Sequence, residues 1–446
     1  MRTPAATPGS PDPMSAMHLR RPPVSPVRTL QEWFPALPLL IYWTGTLLLY
    51  EYGPVINSPL RAQTYAYILG GLACFGFSYA AGLGGRRPGS PRFQQREVAF
   101  AETWLRWTAP LALFGSAGLV ADRLLSGAGS LSRTLAETEY VREEFVANTT
   151  WLTTISVAPY TLSLVSIAAY FVCLKHHRVS RSLNLMILAQ MALLAYNAIL
   201  SVNRGVLLWL LTYWIFYLFF VQGTSVRAFL VSRAYRATRI ALVLFVVASV
   251  GYMFFIARYR NSEMYLRYLA STEVVDERYG LADIDAPAAG ALISLVGYGT
   301  HEFVFIDAFL ERAEPLAFFP GFLVGSRVLD QIRRFDPEFE TQAEITGRLW
   351  INDAGLPPFA WPSVFGWLLA MFGYVGAPVF LALLGFVYGR LVRTYVVSRT
   401  FGAMVLVFCL YTALNMSYNW IGGDLPQNVG YIVGAALLVW RQRVPA

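Results

Sequence analysis

The sequence predicts an all-α polytopic membrane protein, with about 10 transmembrane helices and one large periplasmic loop containing short helices. Three observations carry this. Of the 446 residues, 56% are hydrophobic, too many for a water-soluble protein of this size. Apolar runs long enough to cross ~30 Å of hydrocarbon recur along the chain. Basic residues gather in every second connection between those runs, the pattern that orients spans in a bilayer. The net charge of +8 therefore belongs to orientation, and nucleic acid is not an expected partner. Lys175 is the single lysine, so the basic residues are nearly all arginine.

Residues 1–32 are rich in Pro, Ser and Ala and read as a disordered cytoplasmic tail. They contain no uninterrupted apolar core of signal-peptide type, so no cleavage is expected. Residues 33–257 hold spans one to seven, near 34–51, 64–84, 104–122, 152–174, 183–201, 204–222 and 239–257. Residues 363–446 hold a candidate re-entrant segment and spans eight to ten, near 370–392, 400–416 and 427–440.

The connections agree with that count. Arg20, Arg21 and Arg28 precede the first span, and Arg86, Arg87, Arg92 and Arg96 follow the second. Lys175, Arg178 and Arg181 follow the fourth, and Arg227, Arg233, Arg236 and Arg239 follow the sixth. Arg390, Arg393 and Arg399 follow the eighth, and Arg441 and Arg443 end the chain. The intervening connections are poor in basic residues or balance them with acids such as Glu137, Glu139, Glu143 and Glu144. Both termini are thus expected in the cytoplasm.

The same alternation puts residues 258–362 outside. This loop is far longer than an ordinary connection. It is also not uniformly polar: Ala288–Val296 is apolar, and HEFVFIDAFL (His301–Leu310) has aromatic and aliphatic residues at helical spacing. Short helices on or dipping into the membrane surface are expected there. Ser363–Phe372 reads equally as a re-entrant helix or the first part of a span.

Arg204, in SVNRGVLLWLL, is the sharpest single residue. It opens a span after almost no loop, where free backbone N–H groups and the helix dipole already favour an anion. The competing reading is an arginine snorkelling to headgroups, but a two-residue turn leaves it little room to do so. Arg258 and Arg260 end the seventh span on the same side; arginines are also favourable at any helix C-terminus. Tyr298, His301 and Glu302 fall at i, i+3 and i+4, one helical face, where a histidine beside a carboxylate can serve as general base. A surface histidine without a role has the same appearance.

Other features point nowhere in particular. Cys74, Cys173 and Cys409 sit in apolar segments without metal-type spacing and read as buried small hydrophobes. Asp283 and Asp285, and the Asn148-Thr149-Thr150 sequon, are short patterns common by chance. Neither a nucleotide-cradling Gly loop nor a Ser/His/Asp order is present. No metal and no cofactor is expected.

Three stretches resemble the integral-membrane oligosaccharide repeat-unit polymerases, the Wzy-type O-antigen and exopolysaccharide polymerases related to O-antigen ligases. Asn203-Arg204-Gly205 is similar to the family's Ser-Arg-Gly opening of a mid-chain span. Val296–Leu310 is similar to the Tyr-rich, amphipathic part of its periplasmic loop, and Leu356–Leu391 to its Pro-rich approach, Phe-Gly-x-x-Gly turn and following span. The likeness covers roughly the second half of the chain, with Arg204 as its earliest landmark. Asn203 stands where Ser is usual, and Ala-Met precedes Phe372-Gly373 where an acid is common. The His-Asn pair of the ligases is missing before Phe372.

The resemblance implies a glycosyltransferase of the bacterial inner membrane with a periplasmic active site. Its substrates would be polyprenyl-pyrophosphate-linked oligosaccharides, one donor and one acceptor, with membrane lipid and a chain-length regulator protein as further partners. An acceptor hydroxyl would attack the donor's anomeric carbon as lipid pyrophosphate leaves. Arg204, Arg258, Arg260 and Arg348 suit the leaving-group charge, and His301 or Glu302 the base. Tyr298 and Trp350 are candidates to stack on sugar rings, although interfacial aromatic belts are common. The rival expectations are an O-antigen ligase and a lipid-linked glycan flippase or transporter. The spans are poor in ionisable groups, which argues against a polar path through them.

Overall fold

The computed structural model describes residues 31–53, 55–56, 59–84, 95–125, 151–200, 205–260, 274–275, 296, 300, 302–304, 306–311, 363–415 and 425–443. They form an almost entirely helical fold. After a 3-10 turn at Phe34–Ala36, the main helices are α1 (Leu37–Tyr52), α2 (Ala62–Leu83), α3 (Gln95–Leu125), α4 (Trp151–Tyr160), α5 (Ser163–Lys175) and α6 (Arg181–Leu200). They continue as α7 (Gly205–Phe216), α8 (Val226–Val231), α9 (Arg236–Arg260), α10 (Val364–Ser398), α11 (Phe401–Asn415) and α12 (Leu425–Arg443). The sole sheet among the described residues is an antiparallel pair of two-residue strands, β1 (Val55–Ile56) and β2 (Val274–Val275).

Each apolar run expected to span is helical. Five helices among the described residues are long and apolar enough to cross a membrane: Gln31–Tyr52, Ala62–Leu83, Trp151–Lys175, Arg233–Tyr252 and Met371–Ser398. Their exteriors suit hydrocarbon, since Ile41, Leu48, Phe77, Leu244, Val247, Val375 and Val379 are all exposed. The α4–α5 run bends at Thr161-Leu162, just after Pro159, whose missing N–H leaves a helical bond unmade.

Hydrogen bonds between distant segments sort the helix termini into two ends. At one end, Tyr79 donates to the Glu32 carbonyl (2.6 Å) and Phe401 N–H to Glu97 (3.0 Å). Lys175 donates there to the Val221 carbonyl, and Arg393 to that of Gly84. At the other, Tyr67 donates to the Phe365 carbonyl (2.8 Å) and Tyr252 to that of Ile199 (3.4 Å). Each bond joins termini that an up-and-down trace brings together. The first end, carrying Lys175, Arg178, Arg390, Arg393 and Arg399, is here the basic end; the second is the loop end.

The helix pair α2–α10 is the most extensive in the fold. Small residues make it so. A Cβ on Gly385 would lie 2.4 Å from the Phe75 carbonyl oxygen, and one on Gly389 2.3 Å from that of Tyr79. Without side chains at these positions the two backbones touch, the usual means of association where lipid removes the hydrophobic drive. Tyr388, between them, is fully buried and donates to the Pro35 carbonyl (3.3 Å). The same core continues around Phe216, whose ring centroid lies 4.6 Å from Tyr411 and 5.2 Å from Phe408.

α10 is broken. Gly373 has φ 69° and ψ −176°, a backbone conformation nearly closed to L-residues, so a short helix (364–372) meets a longer one at an angle. The segment 364–372 is thus set off from the rest of α10 by this break, a geometry compatible with either reading of Ser363–Phe372. Gly373→Ala is expected to cost about 1–3 kcal/mol. The space beside Gly373 is open, so the loss would come from backbone strain and not collision. Thermal unfolding of the purified variant checks it.

Candidate functional site

At the loop end, the helical turns at 302–304 and 306–311 pack onto the ends of α1 and α2 and the start of α10. Phe303, Ile306 and Phe309 are buried, a spacing of three that puts them on one side. The Phe303 ring meets Trp43 edge-on at 5.7 Å and Tyr50 at 5.6 Å; Trp43 in turn meets Phe365 at 4.8 Å. The opposite side of the segment is acidic. Asp307 accepts from the Arg61 backbone N–H (3.0 Å) and the Thr64 hydroxyl, and pairs with the Arg61 guanidinium (3.5 Å). Arg61 also pairs with Glu311, and Tyr65 donates to Glu51 nearby on α1. These contacts hold the segment against α1 and α2.

Glu302 is the chemically distinctive group. It is 5% exposed, and its Oε2 has no hydrogen-bond partner. The carboxyl is engaged by the hydroxyl of Ser363, which also accepts from Gly366 N–H (3.4 Å) as the N-cap of α10. Burial pushes the Glu302 carboxyl well above the usual carboxylate range, and the Ser363 hydrogen bond opposes that only in part. The Glu302 carboxyl therefore holds its proton to higher pH than an ordinary glutamate does, the direction of tuning that suits a general acid or base.

Of the residues picked out from sequence, Glu302 is the one whose side chain is described. Arg258 and Arg260 close α9 as backbone only, and Arg204, Tyr298, His301, Arg348 and Trp350 lie outside the described residues. Gly205, next to Arg204 in sequence, opens α7 at the loop end, where α9 also finishes. The sequence placed Glu302 on one helical face with Tyr298 and His301; the structure adds that its carboxyl is buried and engaged by Ser363. Arg61, Thr64, Asp307 and Ser363 were missed. Asp307 and Glu311 at i, i+4 were a detectable signal, whereas nothing local marks Arg61 as their partner.

Among the described residues, no group of three or more His, Cys, Asp or Glu side chains could hold a metal ion. Comparison with protein-family models, with curated proteins and with solved structures returns no match.

Proposed function

We propose that the chain is a membrane glycosyltransferase that polymerises polyprenyl-pyrophosphate-linked oligosaccharide repeat units on the periplasmic face of the bacterial inner membrane. In this reading ten helices span the bilayer and the basic end faces the cytoplasm, as the alternation of arginines requires. Residues 258–362 form the periplasmic loop, and the loop end is the site of reaction. The observation that carries the proposal is Glu302, an enclosed acid with a raised pKa at the loop end, the end at which α7 opens and α9 closes.

The acceptor hydroxyl loses its proton to His301 or Glu302 as its oxygen bonds to the donor's anomeric carbon. The bond from that carbon to the pyrophosphate oxygen breaks, and the charge released on the lipid pyrophosphate is met by Arg204, Arg258, Arg260 and Arg348. Tyr298 and Trp350 stack against the sugars. Transfer of a finished glycan to lipid A-core, or flipping of the lipid-linked unit, are the alternatives.

The test is direct. Purified protein given a lipid-pyrophosphate oligosaccharide should produce a ladder of lengthened products. Arg204→Ala, folded as judged by its unfolding temperature, should lengthen them at least ~100-fold more slowly, the scale of removing one preorganised charge contact. An unchanged ladder would remove Arg204 from the site, and no ladder from the unmodified protein would remove the polymerase reading.

A further inference from the structure

The basic end holds a charge that the described protein does not neutralise. Arg399 ends α10 in the left-handed conformation (φ 50°, ψ 36°), a place that favours glycine. Its residue exposure is 5%, and its guanidinium lies 4.9 Å over the Tyr395 ring. Two of its three guanidinium nitrogens, Nε and Nη1, are buried without a hydrogen-bond partner. Arginine cannot shed its proton to escape this, as a lysine or histidine can.

Its surroundings make the imbalance sharper. Lys175, half-buried at the end of α5, is an electrostatic neighbour of Arg399 and spends a donor on the Val221 carbonyl. Ion pairs among the described residues run from Arg61, Arg106 and Arg178, and none reaches Arg399 or Lys175. At the start of α11, Glu97 accepts from Phe401 N–H at 3.0 Å, so that helix terminus is already capped. Beside the 399–400 link, a cavity of about 250 Å³ is lined by Arg96, Glu97, Phe100, Thr103, Thr400 and Trp440. A polar but roomy edge therefore lies one residue from this guanidinium, whose described partner is the neutral Tyr395 and not a carboxylate.

We propose that this end of the bundle binds a phosphate-type anion, with Arg399 as its principal contact and Lys175 beside it. A buried and a half-buried cation, neither in an ion pair with a described carboxylate, call for an external negative group, and phosphate oxygens match guanidinium donors best. The anion is either the headgroup phosphate of an anionic lipid or free phosphate. It is separate from the loop end, which lies across the membrane-spanning length of α10.

The experiment follows the unfolding temperature of the purified full-length protein in neutral detergent. It is titrated with short-chain phosphatidylglycerol, with the zwitterionic phosphatidylcholine of the same chain length, and with inorganic phosphate. Phosphatidylglycerol should protect saturably and phosphatidylcholine should not. Arg399→Gln should need at least ~10-fold more phosphatidylglycerol for half-protection, while the exposed Arg236→Gln should match the unmodified protein. Arg399→Gln should also unfold at a higher temperature than the unmodified protein when no anion is present, because it removes an unpaired buried charge. Protection by inorganic phosphate as well would assign a general phosphate site; protection by the lipid alone would assign the headgroup. Equal protection of Arg399→Gln, equal effects of the two lipids, or no protection by any of the three would overturn the proposal. If Arg399→Gln does not fold, Lys175→Gln takes its place: weakened protection supports the site and unchanged protection overturns it.

Discussion

Replacing Gly389 by alanine is expected to loosen α2 from α10 and to destabilise the protein by about 1–3 kcal/mol, with leucine worse. The added Cβ would meet the Tyr79 carbonyl oxygen at 2.3 Å and the Gly82 Cα at 3.1 Å. Both are backbone atoms, which cannot rotate away as a side chain can. The helices must separate, and separation costs dispersion along the whole pair, including the seat of the buried Tyr388. The Tyr67–Phe365 hydrogen bond at the loop end depends on the same approach, so the start of α10 should loosen as well. Gly76→Ala is the matched control, because nothing lies within 4 Å of its added carbon. Its unfolding temperature should be unchanged or raised, given alanine's better helix propensity. Unfolding of the two variants in the same detergent, side by side, decides the matter; equal temperatures would mean that the close approach is not what holds the pair.

Glu302→Gln should have two separable effects. The first is on stability. A buried acid with a raised pKa holds its proton in the folded state after the unfolded chain has released it, so the folded protein binds more protons and loses stability as pH rises. The stabilisation is complete below the ordinary glutamate value of about 4.3 and is lost progressively above it. The unmodified protein should therefore unfold at steadily lower temperatures as the buffer is taken from about pH 5 to pH 9. Glutamine keeps the shape and a hydrogen bond to Ser363 but cannot ionise, so its profile should be flatter and should lie above the other at alkaline pH. The second effect is on rate. If Glu302 moves a proton in the transfer, the glutamine variant should lengthen glycans about 10²–10⁴-fold more slowly. A flattened stability profile with full activity would leave Glu302 as a structural acid and put the proton transfer on His301.

The two effects depend on features of different origin. That a chain of this composition forms apolar helices, and that their connections alternate in charge, are local properties of run length and arginine position. They were legible without any structure, down to the helix opening beside Arg204 and the one closing at Arg260. The break at Gly373 was half legible. A Phe-Gly turn marked the place, but the conformation that makes alanine costly appears only in the backbone angles.

Burial and partnership were decided by tertiary structure alone. The burial of Glu302 was not legible, because helical periodicity says which residues share a face and not what covers that face. Trp43 and Tyr50, distant in sequence, pack around its neighbour Phe303, and Ser363 takes up its carboxyl. Arg61 reached Asp307 across 246 residues, and Gly389 met Tyr79 between helices from opposite ends of the chain. Arg399 read as one more orienting arginine until packing enclosed it with no described carboxylate to pair with. Sequence by itself determined where the helices are and which of their connections are basic, since those follow from each residue's preference for water or lipid. The tertiary structure decided which charges are taken out of water and what they face, because desolvation depends on neighbours that the chain brings together only by folding.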